Sequence, residues 1–176
     1  MRKLSFVALI FAVVAAAAGC EDKATTPTPV VPTFSMALTS AQENPPIASL
    51  GSPEANCAGT VTIKLNVTRD AAQAITAATA DFQINVTGCP TTTNITAAHI
   101  HRAPVGTNGG IVVFTGLASG ELALTNGAGA LAKNGVNITP LSTATEILDT
   151  PTAFYFNIHS VMHGGGVIRG QLVRTN

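Results

Sequence analysis

Between Thr60 and Val67 the chain alternates strictly, with Val61, Ile63, Leu65 and Val67 apolar and Thr60, Thr62, Lys64 and Asn66 polar. Successive side chains of an extended strand leave on opposite faces, so a period of two gathers all four aliphatic residues on one face. A helix would scatter the same residues around its circumference, and the segment is therefore a half-buried strand. Shorter runs of the same kind recur at 34–38, 81–86, 95–101, 111–114, 121–124, 153–161 and 167–173. Turn formers stand between them, among them Gly88-Cys89-Pro90, Gly106-Thr107-Asn108-Gly109-Gly110, Thr125-Asn126-Gly127 and Gly164-Gly165-Gly166. Helix is expected only at 71–80, where β-branched Ile75, Thr76 and Thr79 oppose it, and at 143–148, with Thr143 or Thr145 as cap. Many short strands at such spacing predict an antiparallel β-sandwich or barrel.

The N-terminus carries a different message. Arg2 and Lys3 precede an apolar run of about fifteen residues, 4–18, which ends at Gly19-Cys20. A basic start, a short apolar stretch and small residues at its end form a secretory signal peptide, and charged residues follow too soon for a membrane-spanning helix. Ala17-Ala18-Gly19-Cys20 resembles a bacterial lipobox, whose cysteine becomes a lipidated N-terminus. Residues 1–19 are read as signal, 20–33 as lipidated Cys20 followed by a Thr/Pro tether, and 34–176 as one domain. The tether segment Thr-Pro-Thr-Pro-Val-Val-Pro favours extended, solvated backbone. This places the protein outside the cytoplasm, attached to the membrane through its lipid, in the periplasm or at the cell surface. Without residues 1–19, seven basic side chains stand against nine acidic ones, a net −2 that attracts no nucleic acid.

Once Cys20 is committed to lipid, Cys57 and Cys89 are left as a pair. An oxidising compartment makes a disulfide the expected outcome, closing a loop of about thirty residues. Two metal-binding thiolates are the alternative, weakened because neither belongs to a Cys-x-x-Cys pair.

The four histidines fall in two places, His99-Ile100-His101 and His159-Ser160-Val161-Met162-His163. His99 and His101 share one face of a strand and present two imidazoles together, and His159 would complete a three-ligand site for copper or zinc. Met162 and His163 are the candidate auxiliary ligands. Tyr155 and Asn157 share the face of His159, and Asn157 is a candidate to orient its ring. The competing reading makes these histidines packing residues that satisfy a polar patch. Arg169, late in the chain, and Glu43, near the domain start, are expected to pair and pin the two ends together. Two motif matches are set aside: His163-Gly164-Gly165-Gly166 lacks a following nucleophile elbow, and the glycines at 127 and 129 lack a βαβ context and read as turn residues.

Gln42-Glu43-Asn44-Pro45-Pro46, Ala97-Ala98-His99-Ile100-His101, and Phe156-Asn157-Ile158-His159 followed by Gly166-Val167-Ile168-Arg169-Gly170-Gln171-Leu172 resemble, in order, the motifs of the CHRD (chordin-type) domain family. The chain departs from the family pattern at Asn44, where Val is expected, and at Val167, where Glu is expected. The resemblance implies an all-β extracytoplasmic module. The His-x-His pair is also loosely similar to that of the copper and zinc superoxide dismutases, without their bridging histidine or zinc carboxylate. The resulting expectation is an all-β, Greek-key, immunoglobulin-like antiparallel β-sandwich serving as a non-enzymatic binding module, with copper or zinc at His99, His101 and His159. A metal-free structural or protein-interaction domain of the envelope is the alternative, and a superoxide-handling copper enzyme the third reading.

Overall fold

The computed structural model describes residues 30–176. The expected signal peptide, Cys20 and most of the tether lie outside the described residues. Eight strands follow: β1 (Thr33–Thr39), β2 (Ala58–Arg69), β3 (Ile75–Thr87), β4 (Ile95–Arg102), β5 (Gly110–Phe114), β6 (Gly129–Asn137), β7 (Phe154–Ser160) and β8 (Ile168–Gln171). One helix, α1 (Leu141–Asp149), lies between β6 and β7. No helix among the described residues is long and apolar enough to cross a membrane.

Every pairing is antiparallel, and the strands form one sheet in the order β5-β4-β7-β8-β1-β2-β3-β6. The join between β8 and β1 is slender, a ladder pair Thr39–Arg169 and a bridge Phe34–Arg174. The sheet folds over there into two four-stranded halves, β6-β3-β2-β1 and β5-β4-β7-β8. Phe82 of β3 meets Phe156 of β7 across the interior, ring centroids 5.7 Å apart, although the two strands are far apart in sheet order. The chain crosses between halves after β3, β5 and β6, so the architecture is a Greek-key sandwich closed along one seam. At that seam Gly170 lets the backbones approach closely, because a Cβ there would lie 2.2 Å from the Ala37 carbonyl oxygen.

The alternation read at 60–67 is the inside-outside pattern of β2: Val61, Ile63 and Leu65 are buried, and Lys64 is exposed. Facing them are Phe34 and Leu38 of β1, Phe82 and Ile84 of β3, and Phe154, Phe156 and Ile158 of β7. Burying each such side chain contributes roughly 1.5–3 kcal/mol. Cys57 and Cys89 form the expected disulfide, fastening the segment before β2 to the loop after β3.

Four local expectations are corrected. Residues 71–80 are not helical; a turn at 71–72 leads into β3, where Ala78 and Ala80 are core residues of a strand. Residues 121–124 form no strand, for Glu121 accepts from the Ala118 amide and pairs with Lys133 while Leu122 alone is buried. Gly129 opens the edge strand β6 instead of lying in a turn. The helix at 143–148 exists but begins earlier, after Pro140, so neither Thr143 nor Thr145 caps it.

Candidate metal centre

Strand parity decides which side chains meet. In β7, Phe154, Phe156 and Ile158 face the core, so Tyr155, Asn157 and His159 face outward. In β4, Ala98 and Ile100 are core residues, and His99 and His101 share the outer face. The register sets Ala97 opposite His159, Asn157 opposite His99, and Tyr155 opposite His101. Ala97 is small, and the His159 ring occupies the space beside it, diagonal to His99, within the reach of long side chains. Nitrogens of His99, His101 and His159 accordingly lie within 4.8 Å of one another. His101 and His159 are buried and His99 is half-buried, because loops fold over this outer face.

The hydrogen bonds fix the tautomers. His101 Nδ1 lies 2.9 Å from the Gly109 carbonyl, and His159 Nδ1 lies 3.0 Å from the Gly164 carbonyl. A carbonyl only accepts, so both rings carry their proton on Nδ1 and turn the Nε2 lone pair toward the cluster. His99 Nδ1 approaches His159 Nε2 at 3.0 Å and donates to it. His101 Nε2 is buried with no partner among the described residues. All three imidazoles are held neutral. Burial, with the neighbouring rings of His159 and His101, lowers the His99 pKa to about 4. Burial lowers His101, opposed by the Gly109 hydrogen bond and aided by Arg169, and lowers His159, opposed by the Gly164 hydrogen bond and aided by His101.

Aromatic rings wall the cluster. Tyr155 stacks flat on His101 at 4.9 Å, the Arg169 guanidinium lies 4.6 Å from the centre of the Tyr155 ring, and Phe114 of β5 meets His99 edge-on at 5.0 Å. The Tyr155 hydroxyl accepts from the Gly109 amide, so one residue holds both His101 and Tyr155. Gly109 has no room for a side chain, since a Cβ would stand 1.9 Å from the Arg102 carbonyl oxygen.

Not every expected site residue joins the cluster. Met162 is exposed and accepts from the Ser52 hydroxyl. His163 Nε2 bonds the Ser52 hydroxyl at 2.7 Å and lies 3.9 Å from a Glu54 carboxylate oxygen, away from the other three histidines. The turn after Ser160 carries both residues off the strand axis, which is why nearness in sequence to His159 is not nearness in space. Ser52 and Glu54 address the same His163 nitrogen, so no catalytic triad results. Asn157 shares the outer face, but its amide donates to the Gly165 carbonyl and orients no imidazole. That task falls to the carbonyls of Gly109 and Gly164, which sequence reasoning passed over as turn glycines. Arg169 and Glu43 do not form the expected ion pair. Arg169 donates to the Gln42 and Thr107 carbonyls and to Asn108 Oδ1, clamping two loops over the sheet.

Three neutral imidazole donors, with neither thiolate nor carboxylate among them, suit zinc or copper. Metal–nitrogen bonds near 2 Å keep donor atoms within about 4 Å of one another, so an ion would draw the widest pair together by roughly 1 Å. A family model described as CHRD domain matches residues 34–172. No curated protein and no solved structure matches the chain.

Proposed function

The chain belongs to the CHRD domain family, and from that premise we propose that it is an extracytoplasmic metal-binding module, holding one copper or zinc ion through His99, His101 and His159. The observation that carries this reading is the buried Nε2 of His101, a lone pair without a partner among the described residues, in a cluster whose three ligand nitrogens lie within 4.8 Å of one another. Leaving a buried acceptor unmet costs on the order of 1–3 kcal/mol, and a metal ion would satisfy it. The carbonyls of Gly109 and Gly164 supply the outer contacts that orient ligating histidines in metal sites. Lipidation at Cys20 would tether the module to the membrane; the disulfide suits that location.

The test is calorimetric titration of the purified protein with zinc, and with cuprous ion under reducing-free anaerobic conditions, beside the His99→Ala, His101→Ala double variant. One equivalent bound by the parent and none by the folded variant is the expected result. No binding by the folded parent overturns it. That outcome would favour the second reading, a metal-free interaction domain, for which the direct His99–His159 hydrogen bond is the supporting observation.

A further inference from the structure

Glu43 belongs to the first of the motif blocks singled out in the sequence, yet the histidine cluster does not use it. Its side chain is buried, 6% exposed, and its Oε1 has no hydrogen-bond partner among the described residues. Burial pushes its pKa up to about 7, against the opposing pull of Arg169. Arg169 does not come within ion-pair distance; its Nε and Nη1 donate to Gln42, Thr107 and Asn108. A carboxyl buried in this state is costly to ionise without a cationic or hydrogen-bonding partner.

Glu43 lines a cleft of about 280 Å³ between the segment after β1 and the glycine turn between β7 and β8. Gly164, Gly165 and Gly166 also line it, and Ile47, Leu50 and Met162 provide apolar surface. The carbonyls of Gly164 and Gly165 each accept one bond from within the protein, from His159 and Asn157, and each keeps a second lone pair. The lining therefore combines one carboxyl and two carbonyls able to accept further bonds with aliphatic surface, beside His163 and the side-chain amides of Asn44 and Asn108. A divalent ion wants several anionic oxygens, and Glu43 is the one carboxylate lining this cleft. An ammonium head has three donors and no acceptor, and its methylene stem packs on aliphatic surface.

We propose that this cleft binds a primary ammonium group carried on a short aliphatic stem, with the Glu43 carboxylate as its anchor. The site stands independently of metal binding. The source of the ammonium is either a free alkylamine or a lysine side chain of another protein, which share this chemistry.

The test is NMR titration of the isotope-labelled protein with n-butylammonium chloride, at constant chloride, with n-butanol as the uncharged counterpart. The expected result is saturable shifts at the amides of Asn44, Gly164, Gly165 and Gly166, together with a shift of the Glu43 carboxyl carbon. Affinity should fall about tenfold or more for n-butanol and for the Glu43→Gln variant, as loss of a charge-assisted hydrogen bond requires. The carboxyl-carbon shift in the parent decides the matter should that variant fail to fold. Nα-acetyl-lysine methylamide binding as well as n-butylammonium identifies a lysine-bearing partner, and binding of n-butylammonium alone identifies a free amine. Absence of saturable shifts, equal binding of n-butanol, or a Glu43 carbon that stays still overturns the proposal.

Discussion

Replacing Gly109 by alanine separates the role of its backbone from that of any side chain. Its φ lies outside the left-handed region, so alanine meets a purely steric obstacle. The new Cβ would lie 1.9 Å from the Arg102 carbonyl oxygen and 2.9 Å from the Ala103 Cβ, where ordinary contact begins at 3.4 Å. Relief requires the backbone to move by about 1.5 Å, the difference between those first and last distances. Such a move takes the Gly109 carbonyl out of reach of His101 Nδ1, now 2.9 Å away, and its amide out of reach of the Tyr155 hydroxyl, now 3.2 Å away. Two lost hydrogen bonds cost about 1 kcal/mol each and the steric clash about 1–3 kcal/mol, together roughly 3–5 kcal/mol. For a domain of this size that lowers Tm by about 10–20 °C, read by calorimetry. Zinc affinity should fall about 10–100-fold, because His101 loses the contact that fixes its tautomer. Gly106→Ala is the control: its space is open, and only its positive φ, 78°, costs about 1 kcal/mol. A Gly109→Ala protein as stable as the Gly106→Ala control, with parental zinc affinity, would refute the assignment of Gly109 as the residue that positions His101.

Acidification of the metal-free protein should lower its stability between about pH 6.5 and pH 4, where unfolded histidines take up protons that the folded His99 refuses. His101 and His159 shift in the same direction, whereas Glu43, raised to about 7, acts oppositely and favours the fold as pH falls from 7 toward 4.5. Glu43→Gln should therefore steepen the loss of Tm between about pH 6.5 and pH 5, and a Tm that holds constant or rises on acidification of the parent contradicts the buried neutral cluster. Removing the disulfide by Cys57→Ala and Cys89→Ala should cost about 3.7 kcal/mol in urea unfolding, from the chain entropy of a loop spanning 32 positions. A loss below about 1 kcal/mol would mean that the unfolded chain is scarcely restrained by the bridge.

The sequence was most legible where burial is one-sided. Val61, Ile63 and Leu65 declare β2 because one face of that strand is core and the other solvent. It was least legible at β6, an edge strand rich in Ala, Gly and Asn whose two large apolar residues, Leu131 and Val136, are only partly buried, so alternation leaves little trace. The pairing of His99 with His101 follows from strand parity alone. Convergence of His159 depends on the β4–β7 register, which puts Ala97 opposite it, and a shift by one residue would have turned its ring toward the core. The expectation of a Glu43–Arg169 pair caught the neighbourhood and missed the chemistry: a backbone carbonyl beside Glu43 competes successfully for the guanidinium. Opposite charges in a sequence say nothing about such competition.

The slender seam has a mechanical consequence. Thr33 and the final residues lie side by side, with the Thr175 amide donating to the Thr33 carbonyl and the Thr33 amide donating to Asn176 Oδ1. Tension applied at the two ends of the domain therefore acts across these bonds, separating β1 from the C-terminal segment one contact after another, as in unzipping. Shear, which loads many bonds at once, would arise only if the ends lay at opposite poles. A pull on the N-terminal end alone puts no such load across the seam, and the histidine cluster, held between β4 and β7, stands outside the first line of rupture.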